Sequence, residues 1–132
     1  MAVLSTKVIL QCNIQKAWDI VTSVEKYTWR SDLSKTERLN ERQFIEYTKD
    51  GYATTFTITN AITCKRWEFD MENGNMTGHW SGEFIEEGKQ VGLNITEEVN
   101  AKKFFMKPFV KFYLKKQQTL FIDDLKKALL QE

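Results

Sequence analysis

The chain has 132 residues, 42% of them apolar and 28% charged, with a formal net charge of +1. That length suits one ordinary domain, residues 1–132, which can bury roughly two-thirds of the surface its unfolded form exposes and so needs neither metal nor disulfide. The near-neutral balance gives no general drive towards nucleic acid, and a single histidine with two distant cysteines, Cys12 and Cys64, all but excludes a zinc site of the usual kind.

In chain order, residues 3–12 place Leu4, Val8, Leu10 and Cys12 in one phase of a strand. The opening lacks the basic region, long apolar run and small-residue cleavage site of a signal peptide. No apolar run approaches the ~20 residues of a spanning helix. A cytoplasmic protein with both thiols reduced is therefore expected. The period then changes: Ile14, Ala17, Trp18 and Val21 form one helical stripe, with Asn13 placed as its N-cap. Val24 and Tyr27 continue it loosely into a second short helical piece, and TWRSD reads as an ordered loop.

From about residue 34 to 100 the pattern is strand after strand. Glu41-Arg42 makes a tight connection, Asp50-Gly51 is a strong hairpin signal, and turns follow at Asn73-Gly74-Asn75 and Glu87-Gly88-Lys89. One phase holds Tyr52, Thr54, Phe56 and Ile58; the next holds Trp67, Phe69 and Met71; then Met76, Trp80 and Phe84, with Gly78 and Gly82 between them. The last strand carries Val91, Leu93, Ile95, Glu97 and Val99 in phase. The final thirty residues are helical, with a stripe at Leu114, Gln117, Phe121, Leu125, Ala128 and Leu129. Pro108 either sits in the first turn of that helix or kinks one that starts near Lys102.

Short turns force antiparallel neighbours, and a strongly curved sheet holding one long helix on its concave face accommodates both patterns. This order is the signature of the helix-grip fold. The stretch IQKAWDIVTSVEKYTWRSD, with Trp18 mid-helix and Trp29 and Asp32 in a Trp-x-x-Asp loop, resembles the opening of the START-like (SRPBCC) superfamily, particularly its polyketide cyclase/dehydrase branch. FIEYTKDGYATTFTIT, MTGHWSGEF and VGLNITEE resemble that family's later strands, and the closing helix with Tyr113, Phe121 and LKKAL completes the match. The resemblance implies an α+β helix-grip fold with seven antiparallel strands, a long C-terminal helix and two short helices after the first strand. It also implies a pocket for a lipid, sterol, polyketide or other apolar molecule. Some relatives are enzymes, others are carriers, and one branch assists a chaperone.

Glu97 is the charged exception on an inward face. An ionised carboxylate left unpaired in an apolar cavity protonates or recruits a cation. Three readings stay open: a pair within the grip, with Arg30 or Arg38 as partner; a polar anchor that orients a ligand; and a general base of cyclase or dehydratase type. His79 takes the outer parity with Thr77, Ser81 and Glu83, which argues against catalysis. Gly78 and Gly82 either leave a void beside Trp80 or only allow the sheet to curve. Lysines 102, 103, 107, 111, 115 and 116 interleave with Phe104, Phe105, Phe109 and Phe112. The ordinary reading is a solvated lysine face over core phenylalanines. A membrane contact, a dimer face or a ligand portal is the alternative, and exposed rings would favour a partner-binding segment.

The resulting expectation is a binder of a small apolar ligand that uses no cofactor or metal, contacts no nucleic acid, and is a monomer or homodimer. Its ligand-binding residues are expected to be Trp29, Arg30, Asp32, Phe56, Trp67, Phe69, Trp80, Phe84, Glu97, Tyr113, Gln117 and Phe121. No nucleophile elbow, phosphate loop or dinucleotide fingerprint is present, and no catalytic residue is assigned.

Overall fold

The structure, a computed structural model, describes residues 1–130. Strand β1 (Ala2–Leu10) leads into helix α1 (Ile14–Thr22). Six strands follow: β2 (Leu33–Arg38), β3 (Gln43–Thr48), β4 (Ala53–Ile62), β5 (Arg66–Glu72), β6 (Met76–Glu87) and β7 (Gln90–Ala101). Helix α2 (Val110–Leu129) closes the chain. The strands form one seven-stranded antiparallel sheet in the order β1-β7-β6-β5-β4-β3-β2, the α+β helix-grip arrangement expected.

Local chemistry accounts for the elements. Asn13 Oδ1 accepts from the Lys16 amide at 2.8 Å and satisfies one orphan donor at the start of α1. Gly51 and Gly88 turn two hairpins with φ of +86° and +66°, a region closed to most side chains. Cys64 takes φ +59° in the turn between β4 and β5 without being glycine. Register shifts at Leu33/Lys35 and at Ile58/Asn60 bulge the strands and help the sheet curve. Along β7 the alternation is strict: Val91, Leu93, Ile95 and Val99 are all buried. Each such side chain contributes on the order of 1.5–3 kcal/mol of burial energy. They form a core with Leu10, Leu114 and Leu125, because α2 packs over β1, β7 and α1.

Four expectations are corrected. The second short helix is absent. The chain leaves α1 at Ser23 in an extended conformation, and residues 23–31 run through turns held by the Ser23 hydroxyl and by Thr36, which donates to the Val24 carbonyl at 2.8 Å. Pro108 neither opens nor kinks α2; it lies inside a separate 3₁₀ turn, Phe104–Phe109, after which α2 starts at Val110. Proline has no N–H to bond back to the Phe104 carbonyl, so a regular α-helix through residue 108 would lose a bond there. Phe104, Phe105, Phe109 and Phe112 are not core residues but are 80%, 62%, 68% and 75% exposed. The glycines of β6 leave no void either. A Cβ on Gly82 would lie 2.8 Å from the Trp80 ring, and one on Gly78 would lie 2.7 Å from the Glu98 carbonyl, so their space is already occupied.

Candidate functional site

Sheet register brings one row of side chains to the concave face. Phe69 of β5 opposes Trp80 of β6, Trp80 opposes Glu97 of β7, and Glu97 opposes Leu4 of β1. A chain of rings extends that row. Phe44 stacks on Phe56 at 5.0 Å, Phe56 meets Phe69 edge-on at 5.1 Å, and Phe69 stacks on Trp80 at 5.1 Å. Trp80 then meets Phe121 of α2 at 5.9 Å, and Phe121 meets Trp29 at 5.5 Å. Because α2 lies over the β1–β7 side, the opposite side of the concave face is left open beneath it. There a cavity of about 460 Å³ lies between the sheet, the Trp29–Asp32 loop and α2.

Glu97 reaches into this cavity and is buried. Its partner is Gln118, whose Nε2 donates to Glu97 Oε1 at 3.2 Å and stands 3.4 Å from the Leu4 carbonyl, while its Oε1 accepts from Thr6 at 2.7 Å. Neither arginine forms the expected direct pair: Arg38 binds Glu25 on the surface at 2.7 Å, and Arg30 acts on Glu97 only through space. Burial pushes the Glu97 carboxyl up to about 7, against the opposing pull of the Gln118 hydrogen bond and the Arg30 charge. A neutral glutamine cannot compensate a buried negative charge as a guanidinium would.

Arg30 is the hub of the polar end. It grips Asp32 through Nε at 3.2 Å and Nη2 at 3.1 Å, and its Nη1 lies 3.6 Å from Glu46. Its guanidinium also faces the Trp29 and Phe121 rings at 5.7 and 5.3 Å. Burial opposes its charge, but Glu46, Asp32 and Asp124 outweigh burial and hold it protonated. Glu46 sits above the ordinary carboxylate range, because burial exceeds the help it draws from Arg30. From α2, buried Asp124 accepts both the backbone N–H and the hydroxyl of Ser31 at 2.8 Å, which pins the loop to the helix. Trp29 carries the one buried side-chain polar atom that lacks a partner among the described residues, its indole N–H.

Eleven of the twelve residues expected at the site line this cavity: Trp29, Arg30, Asp32, Phe56, Trp67, Phe69, Trp80, Glu97, Tyr113, Gln117 and Phe121. Phe84 is outside it, packed edge-on against Trp18 at 5.2 Å. Sequence reasoning missed Glu46, Gln118 and Asp124. Glu46 lies between apolar Phe44 and half-buried Thr48 in one phase of β3, a signal of the same kind as that of Glu97. The two helix residues gave none, since polar side chains in a lysine-rich helix read as solvated. His79 does face outward, clamped between Asp70 at 2.7 Å and Glu68 at 2.9 Å. Both thiols are free, and burial raises the pKa of Cys12, which works against a thiolate. No group of histidine, cysteine and acidic side chains among the described residues is arranged to hold a metal ion.

Neither a family model nor a curated protein matches the chain. Solved structures do. A START superfamily protein from Mycobacterium smegmatis superposes with a TM-score of 0.86 at 13% identity, covering 98% of this chain and 97% of that one. A conserved protein from Geobacillus kaustophilus gives 0.82 at 10% identity, over 96% and 93%. DynU16, a protein of the dynemicin biosynthetic locus, gives 0.75 at 10% identity, over 98% of this chain and 47% of that one. The fold is that of START superfamily structures.

Proposed function

We propose that the cavity binds a small, largely apolar molecule whose one polar end meets Glu97, Arg30 and the Trp29 indole. The observation that carries this is the pairing, in a single space of about 460 Å³, of an aromatic wall with a small polar end. That is the usual composition of a small-molecule site. Three carboxylates, Asp32, Glu46 and Asp124, act on one guanidinium, and Glu97 adds a fourth acid, so a ligand with an anionic head is disfavoured. A hydroxyl or carbonyl suits the Trp29 donor better. The site residues act as wall and anchor, and a cytoplasmic setting with reduced thiols accords with the free cysteines.

A second reading has its own observation. Glu97 has a pKa near 7 and shares the cavity with Tyr113 and Arg30, the further polar groups that an acid–base enzyme of cyclase or dehydratase type needs. Mass spectrometry of the purified protein, native and then solvent-extracted, separates the two. A discrete small molecule released unchanged on denaturation supports the binder. A clean protein mass, together with turnover of an added polyketide-like substrate that Glu97→Gln abolishes, would replace it with the enzyme.

A further inference from the structure

We infer that the segment from Lys102 to Lys116 docks on an anionic lipid surface. Its phenylalanines are exposed although the molecule has a core to receive them. With Tyr113, 46% exposed, Phe104, Phe105, Phe109 and Phe112 make five of the twelve large exposed apolar side chains among the described residues. Such concentration in one short run marks an interaction patch, not ordinary scatter. Phe104 and Phe105 are consecutive and meet edge-on at 6.2 Å, so the patch is broader than a single helical stripe.

The charge around these rings is one-sided. Residues 101–122 contain six lysines and no aspartate or glutamate. Lys102 bridges Glu72 at 3.0 Å, but among the described residues Lys103, Lys107, Lys111, Lys115 and Lys116 make no ion pair. Rings that can enter the headgroup boundary and lysines that meet phosphate are the two components of an interfacial anchor. A second copy of the chain is the poorer occupant, because it would set lysine against lysine. A fitted protein groove reads one helical face, whereas here the 3₁₀ turn spreads adjacent rings over a wider front. Tyr113, next to Phe112, also lines the cavity, so a docked surface lies beside it. The inference does not depend on what the cavity binds.

The test is flotation of the full chain with phosphatidylcholine vesicles, with and without phosphatidylglycerol, at low and high salt. Association with the anionic vesicles alone, lost at high salt, is expected. The triple variant Phe105→Ser, Phe109→Ser, Phe112→Ser should weaken it by at least about tenfold. Lys103→Glu, Lys107→Glu, Lys111→Glu together should remove the preference for anionic lipid. Unchanged melting temperatures show that the variants still fold. Equal flotation with both vesicle types, no flotation, or wild-type binding by the triple phenylalanine variant overturns the inference. So does a dimer in sedimentation velocity that the triple variant dissolves and that anionic vesicles leave intact, which would assign the patch to self-association.

Discussion

At the scale of single residues the two buried acids of the grip differ in how they are held. Glu97 has a folded pKa of about 7 against an ordinary 4.5, so the folded chain binds more protons than the unfolded chain between those values. Stability therefore falls as pH rises through that window, and the full loss applies above it. Glu97→Gln removes the loss. Urea melts should show the variant level with wild type near pH 4 and more stable near pH 8, by up to about 3 kcal/mol. An equal gap at both pH values would show an ordinary carboxylate. Asp124 is different, because two donors of Ser31 depend on it. Asp124→Ala should cost about 1–3 kcal/mol by removing two hydrogen bonds to a buried carboxylate, whereas Asp124→Asn keeps an acceptor and should recover much of that. Glu97 could be seen in the sequence because strand alternation is strict and an acid in an apolar phase stands out. Asp124 could not, because its burial comes from a loop ninety-three positions away in the chain.

At the scale of elements, strands were more legible than helices. The turns after β2, β3, β5 and β6 fell where glycine or asparagine chemistry put them, whereas the β4–β5 turn rests on Cys64 at positive φ and gave no such signal. The inward phases of β5 to β7 were readable. Helix α2 was harder because its apolar face serves two neighbours. Leu114, Gln118, Leu125 and Leu129 press on the sheet and α1, while Tyr113, Gln117 and Phe121 turn to the cavity. A single stripe merges these. The outer face of the sheet carries its own cross-strand device, in which β5 presents Glu68 and Asp70 to His79 of β6. Burial works against a charge on that ring, but the two carboxylates outweigh it and raise its pKa. This contribution is full below the ordinary histidine value of 6.5 and fades as pH rises through the folded value. His79→Gln should therefore lower the melting temperature at pH 6 and change it little at pH 9. A loss of equal size at both would mean the ring acts by packing alone. On the inner face, Gly82→Val must displace the Trp80 ring, and a loss of about 1–3 kcal/mol in chemical denaturation is expected.

At the scale of the whole molecule, fold and pocket are both consequences of one asymmetric packing. Helix α2 covers the β1–β7 end of the sheet, and the β3–β6 end curves past it with only rings and a few polar groups between. A ligand that fills this space binds the folded chain alone, so at a hundredfold excess over its dissociation constant it should add about 2.7 kcal/mol to stability. A thermal-shift screen of neutral apolar compounds against their carboxylic acid counterparts checks both the site and its charge preference. Stronger stabilisation by the acids would contradict the excess of carboxylates around Arg30. The strand order carries a further consequence, in time and not in space. Six strands succeed one another along the chain, but β1 pairs with β7, Leu10 with Val91 and Ala2 with Val99. A contact so distant in sequence is slow to form, and until it forms the strand with the most buried positions, β7, is an open edge. Val8→Ala should accordingly speed unfolding and leave the refolding rate nearly unchanged in stopped-flow experiments. On that expectation β1, which precedes every other strand in this chain, is the last to pair, and whatever delays it leaves β7 free to pair with a stranger.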